Sequence, residues 1–211
     1  MMIRVYFRFL CIALFTGSLA PIVRAEILLD LPFDGSLMGN QGESPADASG
    51  VAFVAGFKNG AASFSSDSLL TYESSGNINA FAGTLEFLLR PNWDGNDGVT
   101  HAFLEWGGSG GMIFAKDGAN NLRGIFNRYG SNGDPEIGEP SPISVEDWKA
   151  GDWHYLAFTW DNSAKELKIY VDGVLQSLGT FSIELPAIDA GLFRIGGQGN
   201  QPGGLDAVLD A

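Results

Sequence analysis

The chain has 211 residues, with 12 Lys and Arg against 25 Asp and Glu, a formal charge of −13 and 29 glycines. That length suits one domain, or one domain with a short appendage, and the apolar and aromatic content excludes a disordered chain. An acidic surface repels phosphate backbones and anionic lipids, so the sequence predicts neither a nucleic-acid partner nor a polybasic attachment to a membrane surface.

Residues 1–25 open with Arg4 and Arg8, continue through the apolar run Phe9 to Phe15 and end at Val23-Arg24-Ala25. This predicts a secretory signal peptide cleaved before Glu26. Thr16, Gly17, Ser18 and Pro21 interrupt the run well short of the ~20 apolar residues of a membrane span, so no membrane insertion is expected after cleavage. Cys11, the one cysteine, falls in this leader, which leaves a mature chain without disulfides, thiolate metal sites or cysteine catalysis. The expected location is secreted, extracellular or at the cell surface, with the periplasm as an alternative.

From Glu26 to Ala211 short apolar runs alternate with Gly, Asp, Asn and Ser clusters, which predicts an all-β domain. Strands are expected at Ile27 to Leu31, Ala61 to Phe64, Thr84 to Arg90, Ala102 to Trp106, Met112 to Lys116, Leu122 to Asn127, His154 to Trp160, Leu167 to Val171, Thr180 to Ile183, Leu192 to Ile195 and Ala207 to Leu209. Asp172-Gly173 between two apolar runs predicts a tight hairpin with both residues at positive φ. The single helix-like stretch, Val145 to Ala150, is about one turn long, and Gly130 to Pro142 reads as a surface loop. So many short strands bury their apolar faces only in two packed sheets or a closed barrel, and an antiparallel two-sheet β-sandwich of jelly-roll type is expected.

Two features bear on function. Trp93 and Trp106 each precede a turn-rich or Gly-rich segment, which makes them candidate platforms for stacking a sugar ring; Trp153 and Trp160 are assigned to the core. His101 and His154 are the only histidines; no His-Glu-x-x-His helix surrounds them, and the Gly-x-Ser-x-Gly spacing of Gly107 to Gly111 falls in a glycine run with no helix pattern after it, so serine-hydrolase and zinc-protease chemistry have no support.

Six phrases then occur in order: Leu31-Pro-Phe-Asp-Gly-Ser36, Gly56-Phe-Lys-Asn-Gly-Ala-Ala-Ser-Phe64, Thr84-Leu-Glu-Phe-Leu-Leu-Arg-Pro91, Asp152-Trp-His-Tyr-Leu-Ala-Phe-Thr-Trp160, Leu167-Lys-Ile-Tyr-Val-Asp-Gly173 and Phe193-Arg-Ile-Gly-Gly197. Together they resemble the laminin-G-like jelly rolls of the concanavalin A-like lectin/glucanase superfamily. The resemblance implies that Leu205-Asp-Ala-Val-Leu-Asp210 runs on into one more strand, so a domain lacking its last strand is expected. It also brings in β-glucanases, whose Glu-x-Asp-x-x-Glu signature is absent. The nearest match, Asp134-Pro-Glu-Ile-Gly-Glu139, is rich in Pro and Gly and reads as an acidic loop. Finally it implies a structural calcium held by Asp34 and Asp210 with backbone oxygens near Gly60, in keeping with the oxygen-rich ligand sets that hard cations take. Asp94, Asn96 and Asp97 read as a turn.

The expectation is therefore a secreted, non-catalytic recognition domain for an extracellular glycan. A structural or adhesion module with a cell-surface protein partner is the alternative, and a divergent glucanase is a further one.

Overall fold

Period-two alternation decides which side chains of each strand turn inward, and here it builds two layers. The computed structural model describes residues 3–6, 26–106, 111–126, 140–181, 191–196 and 204–211. Its strands in chain order are β1 (Ile3–Tyr6), β2 (Ile27–Leu31), β3 (Asp47–Ala55), β4 (Gly60–Glu73), β5 (Ala82–Pro91), β6 (His101–Trp106), β7 (Met112–Lys116), β8 (Asn121–Phe126), β9 (Ile143–Ser144), β10 (His154–Asp161), β11 (Glu166–Val171), β12 (Val174–Thr180), β13 (Leu192–Gly196) and β14 (Ala207–Asp210). Every pairing among them is antiparallel.

Hydrogen bonding runs in the order β12-β11-β10-β5-β14-β4-β13-β6-β7-β8-β9, with β3 also on β4. Strand β4 belongs to both layers. Its first half pairs with β14 through Ala207↔Phe64, and its second half with β13 through Ile195↔Leu70. The corner between them is made by Ser68, whose Oγ accepts the Ser65 N–H at 2.9 Å and donates to Gly50 O at 2.6 Å. Strand β3 turns the same corner at Gly50, where φ is +66°. The first layer is therefore β12-β11-β10-β5-β14 with the start of β4, and the second is the rest.

Between the layers, Phe87 of β5 and Phe158 of β10 meet Phe114 of β7, and Phe126 of β8 lies against Trp160 of β10. Leu156, Phe158 and Trp160 all turn inward as the alternation predicts, and each is buried. Asp172 and Gly173 have φ of 52° and 80°, the expected two-residue hairpin.

Three expectations change. Val145 to Ala150 forms turns, with Trp148 N–H donating to Val145 O at 2.9 Å, because Trp148 is drawn into an aromatic stack described below. Strand β3 was not expected, since its small residues, its glycine and its mostly exposed side chains give no inward stripe. Strand β12 runs unbroken from Val174 to Thr180, and residues 182–190, where Thr180 to Ile183 was to end, lie outside the described residues. Most of the Gly130 to Pro142 loop, with Asp134 to Glu139, also lies outside them, as does the expected leader apart from β1. Strand β1 pairs with β2 from Ile3↔Leu31 to Tyr6↔Ile27.

Candidate ligand-binding site

Beyond β2 the chain leaves the sheet at Pro32 and bends sharply. Phe33 has φ of 55°, a left-handed backbone that bulky residues rarely adopt, and Gly35 N–H donates to Phe33 O at 2.9 Å. Two anchors hold the bend: the buried Phe33 ring sits edge-on to Phe64 with centroids 6.5 Å apart, and Asp34 Oδ1 accepts the Gly60 N–H at 2.8 Å. Backbone strain of this kind costs about 1–3 kcal/mol and persists where the surroundings over-determine it. Here it points Asp34 at the β3–β4 turn.

Asp210, at the end of β14, grips the same turn. Its Oδ2 accepts the N–H groups of Phe57 at 2.5 Å and Lys58 at 3.3 Å, and its Oδ1 accepts the Ala211 N–H at 2.7 Å. A Cβ on Gly60 would lie 3.1 Å from Phe33 O, so the bend and the turn meet backbone to backbone. The three residues that the sequence nominates for calcium are thus gathered on one turn. As a donor set they offer two carboxylates and nearby carbonyls, where calcium takes six to eight oxygens, and no cluster of three His, Cys, Asp or Glu forms among the described residues. The donors match a hard cation in kind, but three of the four carboxylate oxygens already accept backbone N–H groups, so most of its positions would fall to carbonyls and water.

Beside the bend opens a cleft of about 550 Å³ lined by Pro32, Asp34, Ser36, Met38, Asn40 and Asn59. Its far wall is tied down: Asn40 N–H donates to Asp30 O at 2.8 Å, and Tyr72 O–H donates to Leu37 O at 2.6 Å. Burial, and after it the charge of Glu43, push the Tyr72 phenol above its ordinary range, which keeps it a donor. The wall presents one carboxylate, two amides and a hydroxyl beside the apolar Met38 and Pro32. With one carboxylate and no histidine in the lining, neither the paired carboxylates of glycoside hydrolysis nor a nucleophile and base are assembled there.

Trp93 and Trp106 occupy other places than a rim. Trp93 is 6% exposed; His101 stacks on it at 4.4 Å, Trp148 and Phe103 lie nearly parallel at 6.3 Å, the Lys116 ammonium is 5.5 Å from its ring, and its indole N–H donates to Leu205 O at 3.2 Å. Trp106 is 0% exposed and packs on Phe126 and Trp160. Neither offers an open ring face. A Gly-rich neighbour suggests a rim, but strand parity sets the side chain's direction, and Trp106 shares the inward side with Leu104.

The stack continues from Trp148 to His154 at 4.0 Å, and His154 Nδ1 lies 3.2 Å from Asp172 Oδ2. At the other end His101 Nε2 is 2.7 Å from Asp97 Oδ2, and Lys116 Nζ donates to Asp97 Oδ1 at 2.5 Å. Burial alone would raise the Asp97 carboxyl, but hydrogen bonds from Lys116, His101 and the Val99 N–H outweigh it and hold the group below the usual carboxylate range.

Trp153 departs from its core assignment in the opposite sense. Leu89 pairs with His154, so Trp153 stands beside Arg90 on the outward face of the first layer. It is half-buried, with the Arg90 guanidinium 5.0 Å from its ring and Phe57 edge-on at 5.9 Å. Parity carries the signal: Trp153 is in phase with Tyr155 and Ala157, against the inward phase of Leu156, Phe158 and Trp160. No comparable signal announces Ser36, Met38, Asn40 and Asn59, which come from turns.

The two layers, the corner-turning β3–β4 hairpin and the sheet order define a jelly-roll sandwich of concanavalin A-like type. A sequence profile of the laminin-G-like family within the concanavalin A-like lectin/glucanases superfamily matches residues 59–211, and the chain belongs to that family. Among solved structures it is similar to domain 4 of AbnA, an extracellular arabinanase from Geobacillus stearothermophilus, in complex with arabinotriose, at 17% identity and a TM-score of 0.63 over 87% of this chain and 88% of that one. It is similar to the binding domain of Paraclostridial Mosquitocidal Protein 1 at 17% identity and a TM-score of 0.65, and to the receptor-binding domain of botulinum neurotoxin type G at 16% and 0.59. Each of these likenesses covers 87% of this chain and 47% of the other, so the chain spans about half the length of those toxin domains. At such identities the likeness is one of fold. No curated protein sequence matches the chain.

Proposed function

We propose that this chain is a secreted, non-catalytic recognition domain that binds carbohydrate in the cleft beside Asp34. The observation that carries this reading is the convergence of Asp34, Ser36, Asn40 and Asn59 on an open cleft whose backbone is held in a strained bend. Such groups match a sugar's ring of hydroxyls: the carboxylate accepts from one or two of them, the amides both donate and accept, and Met38 covers an apolar patch. The arabinotriose complex of a domain alike over nearly its whole length supports a glycan partner. Calcium belongs to the proposal as a stiffener of the β3–β4 turn, held by Asp34, the Gly60 region and Asp210, with no part in any bond-making.

A second reading, adhesion to a surface protein, is favoured by the exposed Val174, Leu175 and Leu178 on the edge strand β12. Affinity electrophoresis in gels containing arabinan, xylan, β-glucan or mannan separates the two. Wild type is retarded by at least one polymer, and Asn59→Ala weakens that retention about five- to tenfold, the scale of one or two lost hydrogen bonds, without moving the thermal midpoint. Absence of retention by every glycan, with capture on a purified surface protein, contradicts the cleft reading.

A further inference from the structure

Four of the described cations face acids: Lys116 pairs with Asp97, Arg123 with Asp117, Lys168 with Glu166 and Arg194 with Glu105. Arg90 faces an aromatic ring instead. It lies half-buried over the Trp153 ring, 5.0 Å from its centroid, and makes no ion pair among the described residues. Phe57 completes the group. It is 59% exposed and stands edge-on to Trp153, and the exposed Lys58 follows it in the same turn. Asp210 fixes that turn over the outer face of the first layer through the Phe57 and Lys58 amides.

A guanidinium held over an indole still presents its N–H groups along the edge of its own plane, where they match a planar carboxylate two bonds at a time. The neighbouring aromatic rings offer cover for the C–H face of a sugar. A single fork suits an isolated carboxylate. A densely charged polyanion would need many more cations, and a chain of net charge −13 repels it.

We propose that Phe57, Arg90 and Trp153 form a second carbohydrate subsite, specific for a uronate residue carried at intervals on an otherwise neutral polysaccharide. The Arg90 fork takes the carboxylate and the aromatic rings cover the sugar. This goes beyond the cleft reading: the subsite shares the β3–β4 turn with the cleft but none of its lining residues.

The test uses the intact chain, with glucuronoxylan and the same polymer after reduction of its carboxyl groups to alcohols, by titration calorimetry at fixed salt. The expected result is binding of the native polymer about tenfold tighter than the reduced one, the scale of a charge-assisted bidentate pair. Arg90→Met, which keeps the stem over Trp153 and removes the fork, brings the native polymer down to the reduced one. It leaves the thermal midpoint and any neutral-glycan retention through the cleft unchanged, while Asn59→Ala leaves the native-to-reduced ratio unchanged. Equal affinity for the two polymers in wild type, a preference that survives Arg90→Met, or failure to bind glucuronoxylan while neutral glycans are retained would each overturn the subsite and leave the cleft reading standing. Failure to bind any glycan would overturn both.

Discussion

Lys116 shows how tightly single residues are accounted for at this end of the molecule. It has no solvent exposure, and its ammonium donates to Asp97 Oδ1, to Val99 O at 2.8 Å and to Asn120 Oδ1 at 3.0 Å, so all three protons are used. Breaking a buried pair leaves one charge without its counterion, which costs about 3–5 kcal/mol. Asp97→Ala should therefore lower stability by about that amount in denaturant unfolding, more than Glu166→Ala at the partly exposed Lys168 pair, for which ~0–1 kcal/mol is usual. The sign with pH follows from the lowered Asp97 carboxyl. Its contribution is complete above the unfolded carboxylate value of ~3.9 and is lost as pH falls through the lower folded value. Wild type should lose stability faster than Asp97→Ala below about pH 4, and parallel curves would contradict this.

Strands β7, β10 and β11 follow plain alternation and were legible from the sequence almost to the residue, as was the Asp172-Gly173 hairpin. Strand β6 shows where alternation fails. A bulge between Ala102 and Leu104 turns Phe103 and Leu104 inward in succession and sets His101 opposite the buried Lys116. Counting by twos from Trp106 would have sent both His101 and Phe103 outward, and the buried network with them. The β3–β4 hairpin was half-read: Ala61 to Phe64 stood out, but the serine corner that carries β4 into the second layer has no apolar pattern to announce it. Its turn is also where the calcium proposal is tested. Chelation should lower the thermal midpoint by about 4 °C or more, on the order of 1–2 kcal/mol at this size. Asp210→Asn should lower the midpoint and abolish the response to chelation: the amide oxygen can still accept the Phe57 and Lys58 N–H groups, but the charge is gone and so is the oxygen that accepts from Ala211. A midpoint unmoved by chelation would mean that the amide hydrogen bonds alone hold the turn.

For the whole molecule, apolar stripes of period two were enough to infer two packed sheets, and the ordered phrases pointed to the family. The site was less legible because it is made where strands end. The tryptophans flanked by glycines face the core, whereas the groups lining the cleft come from a bend and a turn that share no periodicity. Asp34, Gly60 and Asp210 were singled out, and they meet, but what they organise is the turn that separates the cleft from the Phe57–Trp153 surface. The central claim is that recognition resides at that turn. It is tested most directly by following backbone amide resonances of the isotopically labelled chain as a retained neutral oligosaccharide is added. The account predicts shifts concentrated at residues 32–40 and 56–60, with the strands of the core unmoved. Shifts confined to segments away from that turn, such as Asp94 to Val99 and Asp117 to Asn121, would contradict it.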